Sequence, residues 1–228
     1  MIRRVFLAGC AAALAACALK DNSQQPSGAG TLHIVNAARL TGDVHIYIDG
    51  NDHGLLSVAH VGTATNIDGL HELEVRTGAG LAGFTFDFAL AGTQAITVVV
   101  TDSSGGLNRA VMLDSNAVVP AGASKLRVGH FAKALGHIDV WRTQPDFGTP
   151  IRVAFPFPYG YTSNYVQSTP GDWKVLVSDT LPAGTPNAPM PDTLGMTAAI
   201  ANPDGGSRTV IIVDGATPHT ADFVVLVP

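Results

Sequence analysis

From residue 31 onward the chain consists of short runs that suit β-strands, and this pattern constrains the fold more than any other feature. In one run the apolar residues Val44, Ile46 and Ile48 alternate with polar or aromatic ones, which gives a strand one apolar face. Clusters of glycine, asparagine, aspartate and proline separate the runs. No segment has the periodicity of an amphipathic helix. The pattern predicts an all-β fold.

Two runs are apolar without alternation, at residues 96–100 (ITVVV) and 209–213 (TVIIV). They have the length of a strand and are rich in β-branched residues, which is typical of strands buried on both faces. We therefore expect these two runs to form central strands.

The strand pattern occurs twice, in the same order along the two halves of the chain. The matching segments are 42–47 with 136–141, in a gapless frame that also pairs Leu32 with Leu126, then Gly62 with Gly160, and 69–75 with 171–177. An ordered series of matches indicates an internal repeat. It predicts two tandem immunoglobulin-like antiparallel β-sandwich domains, at residues 31–116 and 125–228.

The predicted linker between the domains is residues 117–124. It is short and Pro120 stiffens it, so we expect limited movement between the domains. A second irregular segment, residues 181–193 (LPAGTPNAPMPDT), has no counterpart in the first copy. We interpret it as an exposed inserted loop that either contacts a partner or is a tolerated surface insertion.

Residues 1–16 have the features of a bacterial signal peptide. Arg3 and Arg4 give a positive start, and the apolar run that follows is too short to span a bilayer. Residues 14–17 (LAAC) resemble the lipobox of bacterial lipoproteins, in which the cysteine sulfur receives a diacylglyceryl group. We predict cleavage after residue 16 and lipidation of Cys17. The arginine pair leaves the export route open between the Sec and twin-arginine systems.

Three alternatives to this assignment exist at the N-terminus. They are an ordinary secretory signal, an N-terminal membrane anchor, and lipidation at Cys10, which ends the similar tetrapeptide LAGC. Because only a few apolar residues precede Cys10, we choose Cys17. Residues 17–30 then form a lipidated N-terminus and a polar, flexible tether.

The predicted lipid anchor sets the expected location. Two or three acyl chains hold a protein stably at a membrane where one does not. Ala18 follows the cysteine in place of the aspartate of an inner-membrane retention signal. We expect a cell-envelope protein, which in a Gram-negative host lies at the outer membrane and faces the periplasm or the cell surface.

Charge and cysteine content exclude several classes of site. The formal net charge of −5 argues against nucleic acid as a partner, since phosphates require a basic face. Both cysteines, Cys10 and Cys17, lie in the N-terminal segment. The predicted domains therefore have no disulfide and no cysteine-based metal site.

Five segments, which match four sequence patterns, resemble a family of bacterial cell-surface modules, the domain-of-unknown-function 4397 family. They are residues 126–132 (LRVGHFA), 44–50 (VHIYIDG) with 138–141 (IDVW), 159–165 (YGYTSNY) and 170–177 (PGDWKVLV). The match is looser in the first half, where residues 60–62 (HVG) replace the aromatic-glycine step. The resemblance implies an immunoglobulin-like sandwich on an exported protein, often a lipoprotein. It implies no catalytic residues.

The other residue patterns predict no metal, cofactor or catalytic site. The eight histidines lack helical spacing and accompanying carboxylates, which favours half-buried or solvent-facing positions in sheets. Residues 49–54 (DGNDHG) look like a calcium loop but lack the rest of an EF-hand, which favours a hairpin turn. No nucleophile elbow is present.

The aromatic residues of the second half are the best candidates for ligand binding. Phe157, Tyr159, Tyr161 and Tyr165 form a strip whose rings could stack on sugars or peptides. The alternative is that these rings pack in the core, where aromatic burial stabilises a sandwich. We expect a non-enzymatic interaction or structural module whose ligand is an unknown protein or glycan, with a carbohydrate- or peptide-binding role for the strip as the alternative.

Overall fold

The computed structural model describes residues 30–114, 119–143, 150–182 and 191–227. Within these ranges the regular secondary structure is β-strand apart from one 3-10 turn, so the predicted all-β fold is confirmed. None of the described segments is a helix with the length and apolarity needed to cross a membrane. The predicted signal peptide, Cys17, most of the tether, residues 117–118 of the linker and residues 183–190 of the insertion lie outside the described residues.

The first half of the described chain, residues 30–114, forms two four-stranded sheets that pack face to face. Its strands are β1 (Gly30–Asn36), β2 (Val44–Ile48), β3 (Asn51–Leu56), β4 (Val61–Ile67), β5 (Gly69–Thr77), β6 (Ala82–Leu90), β7 (Ala95–Ser103) and β8 (Gly106–Asp114). The sheet orders are β4-β1-β7-β8 and β3-β2-β5-β6. Val44, Ile46 and Ile48 point into the core between the sheets, as the alternation predicts.

The described residues of the second half, between 119 and 227, form a second sandwich. Its strands are β9 (Ser124–Phe131), β10 (Ile138–Arg142), β11 (Ile151–Phe157), β12 (Val166–Ser168), β13 (Gly171–Trp173), β14 (Val175–Asp179), β15 (Thr193–Met196), β16 (Ile200–Asn202), β17 (Ser207–Asp214) and β18 (Ala221–Leu226), and the turn η1 is Lys133–Leu135. The sheet orders are β12-β9-β17-β18 and β11-β10-β14-β15, with a small β13-β16 pair. Trp173, 1% exposed, lies in its core.

The strand registers reproduce the sequence repeat. β1 pairs with β7 in parallel, and β9 pairs with β17 in the same way, so each half contains one parallel pair among antiparallel ones. Leu32 lies opposite Ile96, and its repeat partner Leu126 lies opposite Arg208. These registers make Asp102 and Asp214 equivalent positions at the ends of β7 and β17.

One pair in the sequence alignment is shifted by three residues. Gly160 has its counterpart in Ala59 rather than in Gly62. The N–H of Ala59 donates to the carbonyl of Asn36, and the N–H of Gly160 donates to that of His130, at 2.8 Å each. Both residues have positive φ, 60° and 81°, at the same place in a turn. This turn position needs a positive φ, which glycine adopts in one half and alanine in the other. Matching glycine with glycine therefore paired the wrong residues.

A third apolar cluster, which we call the joint, lies between the two sandwiches. Val35 and Val99 point away from the first core and pack against Ile211 and Val213, and all four are fully buried. The sheets β4-β1-β7-β8 and β12-β9-β17-β18 therefore face each other. The four main sheets stack as four layers with an apolar layer at each contact.

The joint explains the two continuous apolar runs. In β7, Val98 and Val100 face the first core while Val99 faces the joint. In β17, Val210 and Ile212 face the second core while Ile211 faces the joint. Both strands are buried on both faces, and the prediction that they are central strands is confirmed.

Candidate functional site at the joint

A buried ion pair crosses the joint at one end. Arg127 of β9 pairs with Asp114, the last residue of β8, and their side chains are 7% and 0% exposed. The hydroxyl of Thr97 donates to the other carboxylate oxygen at 2.7 Å. The guanidinium also donates to the Leu113 carbonyl at 2.8 Å and to the Thr209 hydroxyl at 3.2 Å. A charged group without partners here would be strongly destabilising, so this network holds the two halves in one arrangement.

A second polar contact, which we call the latch, crosses the joint at its other end. The guanidinium of Arg39, in the loop after β1, donates to the Asp214 carbonyl and to the Asp222 carboxylate, each at 2.7 Å. The side chains of Arg39 and Asp222 are 29% and 45% exposed. Because solvent screens such a pair, removing one partner of the latch should cost less stability than removing one partner of the buried pair.

Two equivalent aspartates organise the loops beside the latch. The carboxylate of Asp102 accepts the N–H groups of Leu40 and Thr41, at 2.8 and 3.0 Å. The carboxylate of Asp214 accepts the N–H of Ala134 at 2.9 Å. Burial raises the pKa of Asp214, and the nearby Asp102 adds to this effect. Both aspartates act as anchors for backbone N–H groups, and this role was not predicted.

His130 is fully buried, although the sequence favoured half-buried or exposed histidines. Its Nε2 lies 2.8 Å from the Gly136 carbonyl, and its Nδ1 accepts the N–H of Ala132 at 3.3 Å. These partners require a neutral ring with its proton on Nε2. Burial lowers the pKa of His130 to about 4.

Asn36 performs the same task in the first half. Its Nδ2 donates to the Gly42 carbonyl, and its Oδ1 accepts the N–H of Ala38, at 3.0 Å each. Asn36 and His130 thus tie the same two backbone positions in each copy of the repeat. The chemical difference between an amide and an imidazole hid this equivalence in the sequence.

We predict that His130→Asn flattens the pH dependence of stability. The unfolded histidine titrates near 6.5 and the folded one near 4, so the unfolded chain binds the extra proton in this window. The neutral His130 ring therefore makes its full contribution to the free energy of unfolding above about pH 6.5. That free energy falls by about 3 kcal/mol as the pH drops to 4. The variant should lose about 1–2 kcal/mol at pH 8 through its smaller side chain, and most of the loss below pH 6.5 should vanish.

Denaturant unfolding of wild type and variant across pH 4–8 measures this effect. His53→Asn, at an exposed position, is the matched control and should leave the slope unchanged. An equal slope in wild type and His130→Asn would contradict the role of a buried neutral ring.

The structure separates the four rings of the aromatic strip. Phe157 is 7% exposed and lies in the second core. Tyr159 lies at the joint, with its hydroxyl near the Thr101 side chain. Tyr161 is 63% exposed. Tyr165 packs against the Arg127 guanidinium, with 4.6 Å between the charge and the ring centroid. The strip therefore presents no single stacking surface.

The calcium-like segment is a hairpin turn, as the sequence favoured. Asp49 and Gly50 connect β2 and β3 with positive φ at both positions, the geometry of a tight hairpin. The Asp49 carboxylate bonds to the His71 ring at 2.7 Å and accepts the N–H of Glu72 at 2.9 Å. Within the described ranges no three metal-ligating side chains lie together.

Two adjacent hollows open on the surface at the latch end of the joint. We call the first the polar hollow; it has a volume of about 450 Å³, and Asp102, Ser104, Asn108, Lys133 and Tyr159 line it. The second, the apolar hollow, has a volume of about 510 Å³, and its lining includes Leu40, Ala134, Ala216 and Pro218. Asp102 and Lys133 border both hollows. Residues from both halves of the chain are needed to form either one.

The sequence did not identify this site, because its residues come from five separate loops and strand ends. One feature of the sequence could have pointed to this site. Asp102 and Asp214 each follow a continuous apolar run at the same place in the repeat. A charged residue that recurs at the end of a central strand indicates a position where the strand reaches the surface.

No family model matches the chain, and no curated protein does. Among solved structures, it is similar to one described as The Bacillus anthracis TIE protein, with 11% sequence identity over 86% of this chain and a TM-score of 0.26. The alignment spans 34% of that chain, about a third of its length.

Proposed function

We propose that the protein is an exported lipoprotein of the bacterial cell envelope that acts by non-covalent binding. The observation that carries this proposal is the segment at residues 14–17 (LAAC), which follows a positive start and a short apolar run. Small residues before a cysteine are what the lipoprotein signal peptidase accepts. Acyl chains on Cys17 hold the protein at the membrane, since each buried methylene contributes about 0.8 kcal/mol.

The tether sets how far the folded part stands from the lipid. Residues 17–30 are polar and rich in glycine, serine and glutamine, so they form a flexible coil that reaches on the order of 20 Å. Beyond it stand two immunoglobulin-like modules, as the resemblance to the domain-of-unknown-function 4397 family implies. In a Gram-negative host they lie at the outer membrane, facing the periplasm or the surface.

The bonding of the buried and half-buried polar groups supports binding rather than catalysis. Asp214 accepts the N–H of Ala134, His130 ties two backbone positions, and Asp114 is paired with Arg127. Groups held in this way serve the fold, whereas a catalytic acid or base must reach a substrate. The partner is a protein or a glycan of the envelope or its surroundings.

We predict that Cys17→Ala abolishes acylation. Mass spectrometry of the N-terminal peptide from native-host membranes should find wild-type protein that begins at residue 17 with two or three acyl chains. The Cys17→Ala protein should carry no acyl chain, because the thiol is the acceptor. Cys10→Ala is the matched control and should remain fully acylated.

A wild-type protein cleaved elsewhere without lipid would overturn the lipoprotein proposal, and an acylated Cys17→Ala protein would overturn the assignment of Cys17. Loss of acylation in Cys10→Ala but not in Cys17→Ala would place the anchor at the other cysteine.

A further inference from the structure

The repeat gives each residue of the latch a counterpart on the opposite side of the joint. Lys133 follows β9 as Arg39 follows β1, in the frame that pairs Leu32 with Leu126. Asn108 lies opposite Thr101 in β8, and Asp222 lies opposite Val213 in β18, so these two positions are equivalent. Where the latch has arginine and aspartate, the opposite side has lysine and asparagine.

With lysine and asparagine in place of arginine and aspartate, no second latch forms on the opposite side of the joint in the described part of the chain. Arg39 reaches two acceptors across the joint, at 2.7 Å each. Within the described residues, the Lys133 ammonium forms no hydrogen bond or ion pair, and the Asn108 amide nitrogen donates none. The polar hollow of about 450 Å³ occupies the place of the second latch. Its volume lies in the range of small-ligand sites, about 300–1,000 Å³.

The wall of the polar hollow includes the fixed aromatic ring of Tyr159. Tyr159 packs edge-on against the His130 ring, with centroids 6.1 Å apart and planes at 87°. Its hydroxyl lies near the Thr101 side chain. A ring that packs on a buried neighbour needs little ordering when a ligand binds, which favours affinity.

The polar groups of the hollow are mixed in charge and in hydrogen-bonding type. Lys133 is a donor, Asp102 is an acceptor, and Asn108 and Ser104 offer both. A strongly anionic ligand would meet Asp102 and the nearby Asp214. A strongly cationic ligand would meet Lys133 and Arg109, which also borders the hollow. Sugar hydroxyls donate and accept at the same atom, and the C–H face of a sugar ring packs on an aromatic ring.

We propose that the polar hollow binds a neutral saccharide, with Asn108 and Lys133 bonding to its hydroxyl groups and Tyr159 forming the wall. This inference deepens the proposed binding function and names its ligand class. It moves the carbohydrate site from the aromatic strip to the joint, so that Tyr159 belongs to the site and the exposed Tyr161 does not.

Binding of the full chain, solubilised in mild detergent, is measured against neutral and acidic di- to tetrasaccharides and against an acidic peptide. The neutral set contains hexose and N-acetylhexosamine oligomers, and titration calorimetry gives Kd for each. Asn108→Ala and Lys133→Met should each weaken neutral-saccharide binding at least tenfold. Tyr161→Ala is the control and should bind as wild type. Because Asn108, Lys133 and Tyr161 are exposed, their variants should unfold at the wild-type denaturant concentration.

Three results would overturn the inference. One is a wild-type protein that binds no neutral saccharide of the set, and another is stronger binding of the acidic saccharides or the peptide. The third is loss of binding in Tyr161→Ala while Asn108→Ala and Lys133→Met bind normally. Acylation of Cys17 is measured on the same preparation, so failure here with an intact anchor leaves the lipoprotein proposal standing.

Discussion

Arg127→Met should destabilise the protein by about 3–5 kcal/mol, because it leaves the Asp114 carboxylate buried in the joint without its cation. That carboxylate is fully buried and, among the described residues, keeps the Thr97 hydroxyl as its hydrogen-bond partner in the variant. The Thr209 hydroxyl and the Leu113 carbonyl lose a partner as well. Equilibrium denaturant unfolding at pH 7.5 measures the loss.

The double variant Arg127→Met/Asp114→Asn is the decisive control. Removing both charges should recover a large part of the lost stability, since an amide costs far less to bury than a carboxylate. If Arg127→Met changed the free energy of unfolding by less than about 0.5 kcal/mol, the pair would not be buried at a joint. A double variant no more stable than Arg127→Met would point to packing rather than charge.

Trp173→Ala should lower the free energy of unfolding by about 3–5 kcal/mol. Alanine at the equivalent position of the first half, His71, should lower it by about 1 kcal/mol or less. Trp173 is 1% exposed in the second core, and the Arg142 guanidinium lies 4.7 Å from its ring centroid. Its repeat partner His71 is partly exposed and bonds to the Asp49 carboxylate at the surface. One repeat position therefore has a structural role in one half and a peripheral role in the other.

Calorimetric and denaturant unfolding of Trp173→Ala and His71→Ala compare the two positions directly. Equal losses in the two variants would contradict the placement of Trp173 in the core. They would also mean that the two sandwiches are built more alike than their burial indicates.

The sequence predicted well those features that depend on neighbouring residues. Alternation in β2 placed Val44, Ile46 and Ile48 on one face, and Asp49 with Gly50 predicted a tight hairpin. The alternation of side chains along a strand and the positive φ of a tight turn each depend on a few neighbouring residues. A single short segment of sequence is therefore enough to predict them. The sequence repeat also paired Leu32 with Leu126, and these two residues lie at equivalent positions of the strands β1 and β9.

The joint could not be predicted from the sequence. The run at residues 209–213 indicated burial on both faces, but periodicity does not say what covers a face. The covering surface is the other half of the chain, where Val99 packs in the same cluster as Ile211. Such contacts join residues that are more than a hundred positions apart, and no local pattern encodes them.

The aromatic strip shows the limit of spacing along a chain. Phe157 ends β11 and points into the core, whereas Tyr159 and Tyr161 lie in and just after the turn that follows. Every second side chain points to the same face only while the chain stays a strand. Within a turn this alternation ends, so aromatic residues two positions apart do not stay on one face. The site at the joint uses only Tyr159 of the four.

The candidate site exists only if the two halves share one buried joint, and amide hydrogen exchange along a denaturant gradient tests this most directly. Peptides that cover β7 (Ala95–Ser103) and β17 (Ser207–Asp214) report on the two halves separately. We expect both to lose protection at a single denaturant midpoint, and Arg127→Met to lower that midpoint equally for both. Two separate midpoints, with only one of them moved by Arg127→Met, would contradict a shared joint.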